Sequence, residues 1–135
     1  MTAATKETKK QLSQLRDLLK RDGYKVEEPQ SGWLWVIVEE FSYLIEYSDE
    51  DPEFFQLEFP MGLDDKDSRK DEYQIAINNA NARSKLAKAY LTDDNDLNIV
   101  VDVMASTPKE FVAYFARYIS AIQSALNLIT TQVGG

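Results

Sequence analysis

Trp33-Leu34-Trp35-Val36-Ile37-Val38, Phe41-Ser42-Tyr43-Leu44-Ile45-Glu46-Tyr47 and Glu53-Phe54-Phe55-Gln56-Leu57-Glu58-Phe59 follow one another within 27 residues, and their reading decides the fold. The second stretch alternates, with Phe41, Tyr43, Ile45 and Tyr47 on one face and Ser42, Leu44 and Glu46 on the other. The third repeats the pattern, setting Phe55, Leu57 and Phe59 against Phe54, Gln56 and Glu58. The first is continuously apolar, the pattern of a strand covered on both faces, and is expected to lie centrally. Ser48-Asp49-Glu50-Asp51-Pro52 is an acidic turn. Together these residues predict an antiparallel three-stranded meander.

Upstream, Leu12, Leu15, Leu18 and Leu19 fall at helical spacing and predict an amphipathic helix over Lys10 to Arg21. Gly23 then supplies the positive φ of a helix C′ position. Tyr24 to Glu28 reads as a short strand before Pro29. Downstream, Pro60 ends the third strand and Asp64-Asp65-Lys66-Asp67 is a polar loop. Ser68 and Asp71 have capping-box spacing, and Tyr73, Ala76, Ile77 and Ala80 mark a helix. Leu86 to Thr92 and Leu97 to Met104 form a hairpin around Asp93-Asp94-Asn95-Asp96. Thr107, Pro108 and Glu110 open a terminal helix of about six turns with a ridge of Phe111, Phe115, Tyr118, Ile122, Leu126 and Ile129. The order α-βββ-α-ββ-α describes an α+β protein, an antiparallel sheet with helices mainly on one face. A single domain over residues 1–135 is expected, with 1–8 and 131–135 flexible.

The chemistry open to such a chain is narrow. It has 135 residues, 44% of them hydrophobic, a formal charge of −8 and a pI near 4.5. That charge repels nucleic acid and anionic membranes. Without cysteine or histidine there is no disulfide, thiolate nucleophile, Cys- or His-based zinc site or His-based triad. No apolar run reaches the ~20 residues of a membrane span, and residues 1–10 lack a signal-sequence core, so a cytoplasmic location is expected. The glycines at 23, 32 and 62 are isolated turn residues and form no phosphate loop, so no cofactor is expected. The acidic turns fail as calcium loops: counted from Asp49, the positions needing Gly and Glu hold Phe54 and Pro60, and from Asp93 they hold Asn98 and Met104. Glu39-Glu40 is no catalytic dyad without geometry, and Gly134-Gly135 follows a helix where a sulfur carrier's tail follows a strand. No catalytic residue and no metal ligand is assigned.

From Ile77 the chain runs Ile-Asn-Asn-Ala-Asn-Ala-Arg-Ser-Lys-Leu-Ala-Lys-Ala-Tyr-Leu-Thr-Asp-Asp-Asn-Asp-Leu-Asn-Ile-Val-Val-Asp-Val. This stretch resembles the YbjN-like family of candidate bacterial sensory transduction regulators. The matching features are a helix ending in Asn-x-x-Asn (Asn78 and Asn81), a basic residue, the strand Ala-Lys-Ala-Tyr-Leu, an acidic turn and an acid-containing strand. The element order agrees along nearly the whole chain, whereas only Ile77 to Val103 is motif-like. The family's long or aromatic residue between the asparagines is replaced by Asn79 and Ala80. The resemblance implies a type III secretion chaperone-like fold, whose members are small, acidic, usually dimeric and bind extended peptides.

Asn78 and Asn81 read best as structural groups at a helix end, since Asn tolerates the left-handed conformation and its amide bonds stray carbonyls. The face carrying Phe41, Tyr43, Ile45, Phe55, Leu57, Ile99 and Val101 should lie under the helices. The other carries Leu44, Phe54, Tyr90, Val100 and Met104 among Glu46, Glu58, Lys88 and Asp102. An open apolar face rimmed by charge marks a protein contact, and those five residues are the partner-binding candidates. A solvated sheet with scattered apolar residues is the plainer reading. The expected activity is non-enzymatic protein or peptide binding by a homodimer. The alternative is a small-ligand sensor with a pocket between sheet and helices.

Overall fold

A computed structural model describes residues 5–65 and 67–134. Residues 1–4 and 135, part of the termini expected to be flexible, and Lys66 of the acidic loop lie outside the described residues. The elements are α1 (Lys6–Arg21), β1 (Lys25–Val26), β2 (Trp33–Val38), β3 (Phe41–Tyr47), β4 (Phe54–Met61), α2 (Lys70–Arg83), β5 (Lys88–Leu91), β6 (Leu97–Met104), α3 (Pro108–Val112) and α4 (Phe115–Gly134). The strands form one six-stranded antiparallel sheet in the order β1-β2-β3-β4-β6-β5. The predicted α+β order is therefore present, with the short strand read at Tyr24 to Glu28 as β1 and the terminal helix divided in two.

Several boundaries moved for physical reasons. Helix α1 begins at Lys6, not Lys10, because the Thr5 hydroxyl accepts the Thr8 N–H as an N-cap. It ends as predicted at Gly23, φ 95°, where the Gly23 N–H donates to Lys20 O and the Tyr24 N–H to Leu19 O, a full Schellman closure. Helix α2 has no side-chain N-cap; Arg69 occupies that position, and the Ser68 hydroxyl instead donates to Asp65 O. The terminal helix is interrupted at Ala113 and Tyr114, giving α3 and α4 where one helix was expected. Its capping signal holds: the Thr107 hydroxyl accepts the Glu110 N–H, and the Glu110 carboxylate accepts the Ser106 N–H.

The chain resolves into two compact units, one of Met1–Leu57 with Asp102–Phe115, the other of Glu58–Val101 with Ala116–Gly135. In the first, α1 packs on β1, β2 and α3. Leu12, Leu15 and Leu19 are fully buried, as are Leu34, Val36 and Ile45. Phe55 stacks on Phe111 at 5.0 Å and lies 4.7 Å from Tyr47, while Phe115 meets Tyr24 edge-on at 4.9 Å. In the second, α2 lies against β5. Leu97, Ile99, Ala76, Ile122 and Ile129 are buried. Arg69 donates to Val133 O and pairs with Glu72, and Asn79 donates to Gln132, so α4 stays helical to Gly134.

Two local arrangements are distinctive. Val38 pairs with Phe41, so Glu39 and Glu40 alone make the β2–β3 turn, at φ 49° and 74°. Such turns favour Asn-Gly, and glutamate pays for a left-handed backbone. In the same unit, the Asp49 carboxylate accepts hydrogen bonds from the Thr5 and Thr8 hydroxyls at 2.8 and 2.9 Å. Those bonds, Thr5's first, hold its pKa below the ordinary 3.8.

Glu39→Asn combined with Glu40→Gly should raise stability by about 1 kcal/mol, seen as a higher denaturation midpoint at unchanged slope. A lower midpoint would mean that the glutamates hold the turn. Because Asp49's folded pKa is depressed, its contribution is present above pH 3.8 and is lost as pH falls through the lower folded value. NMR titration should find the Asp49 carboxyl below 3.8 in the native chain and shifted upward in Thr8→Val, which leaves the larger Thr5 contribution in place. An identical pKa in both proteins would show that the threonine contact has no electrostatic effect.

Candidate partner-binding face

Strand pairing decides which side chains project together. Trp33 pairs with Glu46, Trp35 with Leu44 and Ile37 with Ser42, while Lys25 pairs with Ile37. All of these lie on the face opposite Leu34, Val36, Tyr43 and Ile45. Helices α1 and α3 cover the latter face. Among the described residues of this unit no helix covers the former. Trp33, Trp35, Ile37, Leu44 and Phe54 are half-buried there, and Met104 is 71% exposed.

A groove of about 310 Å³ on this face is lined by Trp33 and Phe54 as its large apolar groups, with Gln56 beside them. Its charged lining is acidic, from Glu46 and Asp51. Gln56 donates to Asp102 at 2.8 Å, which adds a third acid beside it. Gly32, φ 88°, turns the chain at one end, and its carbonyl accepts the Tyr47 N–H. The Tyr47 phenol donates to Pro52 O, and burial, then Asp49, Glu7 and Asp51, push its pKa up, so it stays a neutral donor.

The five candidates divide between the units. Leu44, Phe54 and Met104 gather on the first unit's face. Tyr90 and Val100 belong to the second, where Tyr90 is 48% exposed and Val100 only 9%. There the Tyr90 hydroxyl accepts from Asn98, which also donates to Glu58; Glu58 is buried, not a rim charge as its place in the pattern implied. On the helix-covered side Phe41 departs from expectation at 43% exposure, because it adjoins the β2–β3 turn.

The largest difference concerns Trp33, Trp35 and Ile37. The apolar run of β2 implied a central strand covered on both faces. In the sheet it is second from the edge, and its outward side chains are half-exposed. The same run is itself the signal: an apolar strand beside a short two-residue edge has one face left for something else.

Asn81 lies in the last turn of α2, at the helix end expected for it, and its side chain bonds backbone. Its side-chain carbonyl accepts the Ala89 N–H at 2.8 Å and its amide donates to Ala89 O at 3.0 Å. It thus satisfies the outward backbone groups of edge strand β5. Asn78 is exposed on α2. At the opposite margin the Glu27 N–H donates to Trp35 O and the Gln30 N–H to Trp33 O, which extends the pairing of the two-residue edge strand β1 along β2. No helix among the described residues is long and apolar enough to cross a membrane.

No family model and no curated protein matches this chain. Solved structures do. YbjN from E. coli, a candidate transcription regulator, superposes with a TM-score of 0.65 at 18% identity, over 91% of this chain and 92% of that one. The fold is YbjN-like. The HopA1–SchA chaperone–effector complex matches at a TM-score of 0.56 and 10% identity, covering 88% of this chain and 95% of the other. The Yersinia pestis type III secretion chaperone SycH, in complex with a stable fragment of YscM2, matches at 0.51 and 13% identity, covering 86% and 97%. The YbjN-like, secretion chaperone-like fold expected from Ile77 to Val103 is thus found in the neighbours of the whole chain.

Replacing exposed and buried members of adjacent positions separates the two faces. Met104→Ser should change unfolding free energy by less than about 0.5 kcal/mol and Phe54→Ser by about 1. Phe55→Ser removes a ring that is 1% exposed and stacked on Phe111, and should cost about 4 kcal/mol. A large loss for Phe54→Ser with a small one for Phe55→Ser in urea denaturation would reverse the assignment of faces.

Proposed function

We propose that this protein is a non-enzymatic binding module, chaperone-like or regulatory, acting in the cytoplasm of a bacterial cell and capturing a segment of another protein. The observation that carries this reading is the apolar, acid-rimmed face of Trp33, Trp35, Leu44, Phe54 and Met104, which no helix of its unit covers. Tyr90 and Val100 extend the candidate set on the second unit. Two proteins of similar fold were crystallised with protein partners, which supports capture of a polypeptide.

The geometry favours one mode of capture. Peptides often add to a sheet edge. Here Asn81 occupies the outward backbone groups of Ala89 on edge strand β5, and the opposite edge strand β1 has only two residues, so the open face is the better receptor. Its chemistry asks for apolar side chains at alternate positions flanked by Lys or Arg, which would meet Glu46, Asp51 and Asp102. A small-ligand sensor is less well supported, because the groove on this face is open and not an enclosed pocket between sheet and helices. Homodimerisation is part of the proposal: Ile75 and Tyr114, at 65% and 62% exposure, are large apolar groups outside this face.

Extended 15-residue peptides with alternating leucines, one set flanked by lysine and the other by glutamate, test the reading by fluorescence anisotropy. The lysine set should bind, and Trp35→Ser or Phe54→Ser should weaken it by about 2 kcal/mol, roughly thirtyfold. Light scattering of the same samples should give twice the 15.4 kDa chain mass. Equal binding of both sets, or variants that bind like the native chain, would overturn the assignment.

A further inference from the structure

A second groove, of about 520 Å³, is lined by residues that the binding face does not use. It lies in the second unit, between the C-terminal end of α2 with its following turn and the outer side of α4. Arg83, Lys85 and Arg117 line it, and no acid does. In a chain of charge −8 such a concentration of uncompensated cations stands out. None of the three makes an ion pair among the described residues. All three are exposed.

The rest of the lining is apolar or small. Leu86, 41% exposed, and Leu128 supply apolar contact, and Ala121, Ser120 and Ser124 form a low surface along α4. Arg117 to Leu128 spans about 16 Å of helix, or three turns. Small side chains let another helix approach to the short end of the 8–10 Å interaxial range. No aromatic ring lines the groove, so nothing there would stack a nucleobase.

We infer that this groove docks an acidic amphipathic helix from a partner protein, about three turns long. Its apolar stripe lies on Leu86, Ala121 and Leu128, and its Asp or Glu side chains meet Arg83, Lys85 and Arg117. A second copy of this chain is a poorer occupant. Its exposed acid-and-apolar helix segment, Asp71, Glu72 and Ile75, already has Glu72 tied to Arg69 at 2.6 Å. This surface goes beyond the proposed binding face, since it asks for a helix of opposite charge.

The test uses the full chain and two labelled 18-residue helical peptides that share one leucine–alanine stripe and differ only in flanks of glutamate or lysine. The glutamate peptide should bind and the lysine peptide should not, with affinity falling as salt rises. Arg83→Glu with Arg117→Glu should weaken binding at least about tenfold, and Ala121→Trp should block it by filling the groove. Both variants should keep the native circular dichroism, since the positions are exposed or half-exposed. Trp35→Ser should bind the glutamate peptide as the native chain does, so this site can fail or survive independently of the sheet face. Absence of binding, equal binding of both peptides, or indifference to the groove variants would overturn the inference. So would a charge-reversal effect confined to sedimentation mass, which would assign the groove to a second copy. Loss of binding to anionic vesicles with no peptide bound would equally overturn it, by assigning the groove to a lipid surface.

Discussion

Phe55 lies between Phe111 at 5.0 Å and Tyr47 at 4.7 Å, and this aromatic stack sets the sense of the sheet in the first unit. Strand side chains alternate, so committing Phe55 and Leu57 inward commits Phe54 and Gln56 outward. The pairing of β2 with β3 carries the same commitment to Trp35 and Leu44. The open face is therefore a consequence of the core, not a feature added to it. A slip of one residue would bury the tryptophans and expose Leu34 and Val36.

The two margins of the sheet are built differently. The segment from Glu27 to Gln30 supplies hydrogen bonds to the backbone of β2 where β1 is too short to do so. At the other margin the Asn81 side chain presents a carbonyl and an amide to Ala89, imitating the backbone of a neighbouring strand. An unpaired edge invites pairing with other chains, so the Asn81 contact suppresses strand addition at Ala89 of β5.

The two grooves differ in the charge that lines them. Glu46, Asp51 and Asp102 line or adjoin the first, and Arg83, Lys85 and Arg117 line the second. The net charge of −8 describes neither. Long-range steering follows the total, whereas docking follows the local field within a Debye length of about 8–10 Å.

The sequence by itself determined the helices and strands with strong periodicity, the capping at Thr107 and the Schellman turn at Gly23, because these depend on neighbours within a few residues. Alternation in β3 and β4 likewise determined which of Phe54 and Phe55 turns inward. The YbjN-like character was legible from Ile77 to Val103. What depended on distant contacts was not. The place of β2 in the sheet depends on how short β1 is and on which strands pair, so an apolar run read as central turned out to carry half the open face. The burial of Glu58 depends on Asn98, 40 residues away, and the role of Asn81 depends on the backbone of β5. The basic groove brings together the end of α2 and the middle of α4, residues 83 to 128, whose cations are unremarkable in order along the chain. Periodicity reports which way a side chain points, but only the tertiary structure decides what waits on that side.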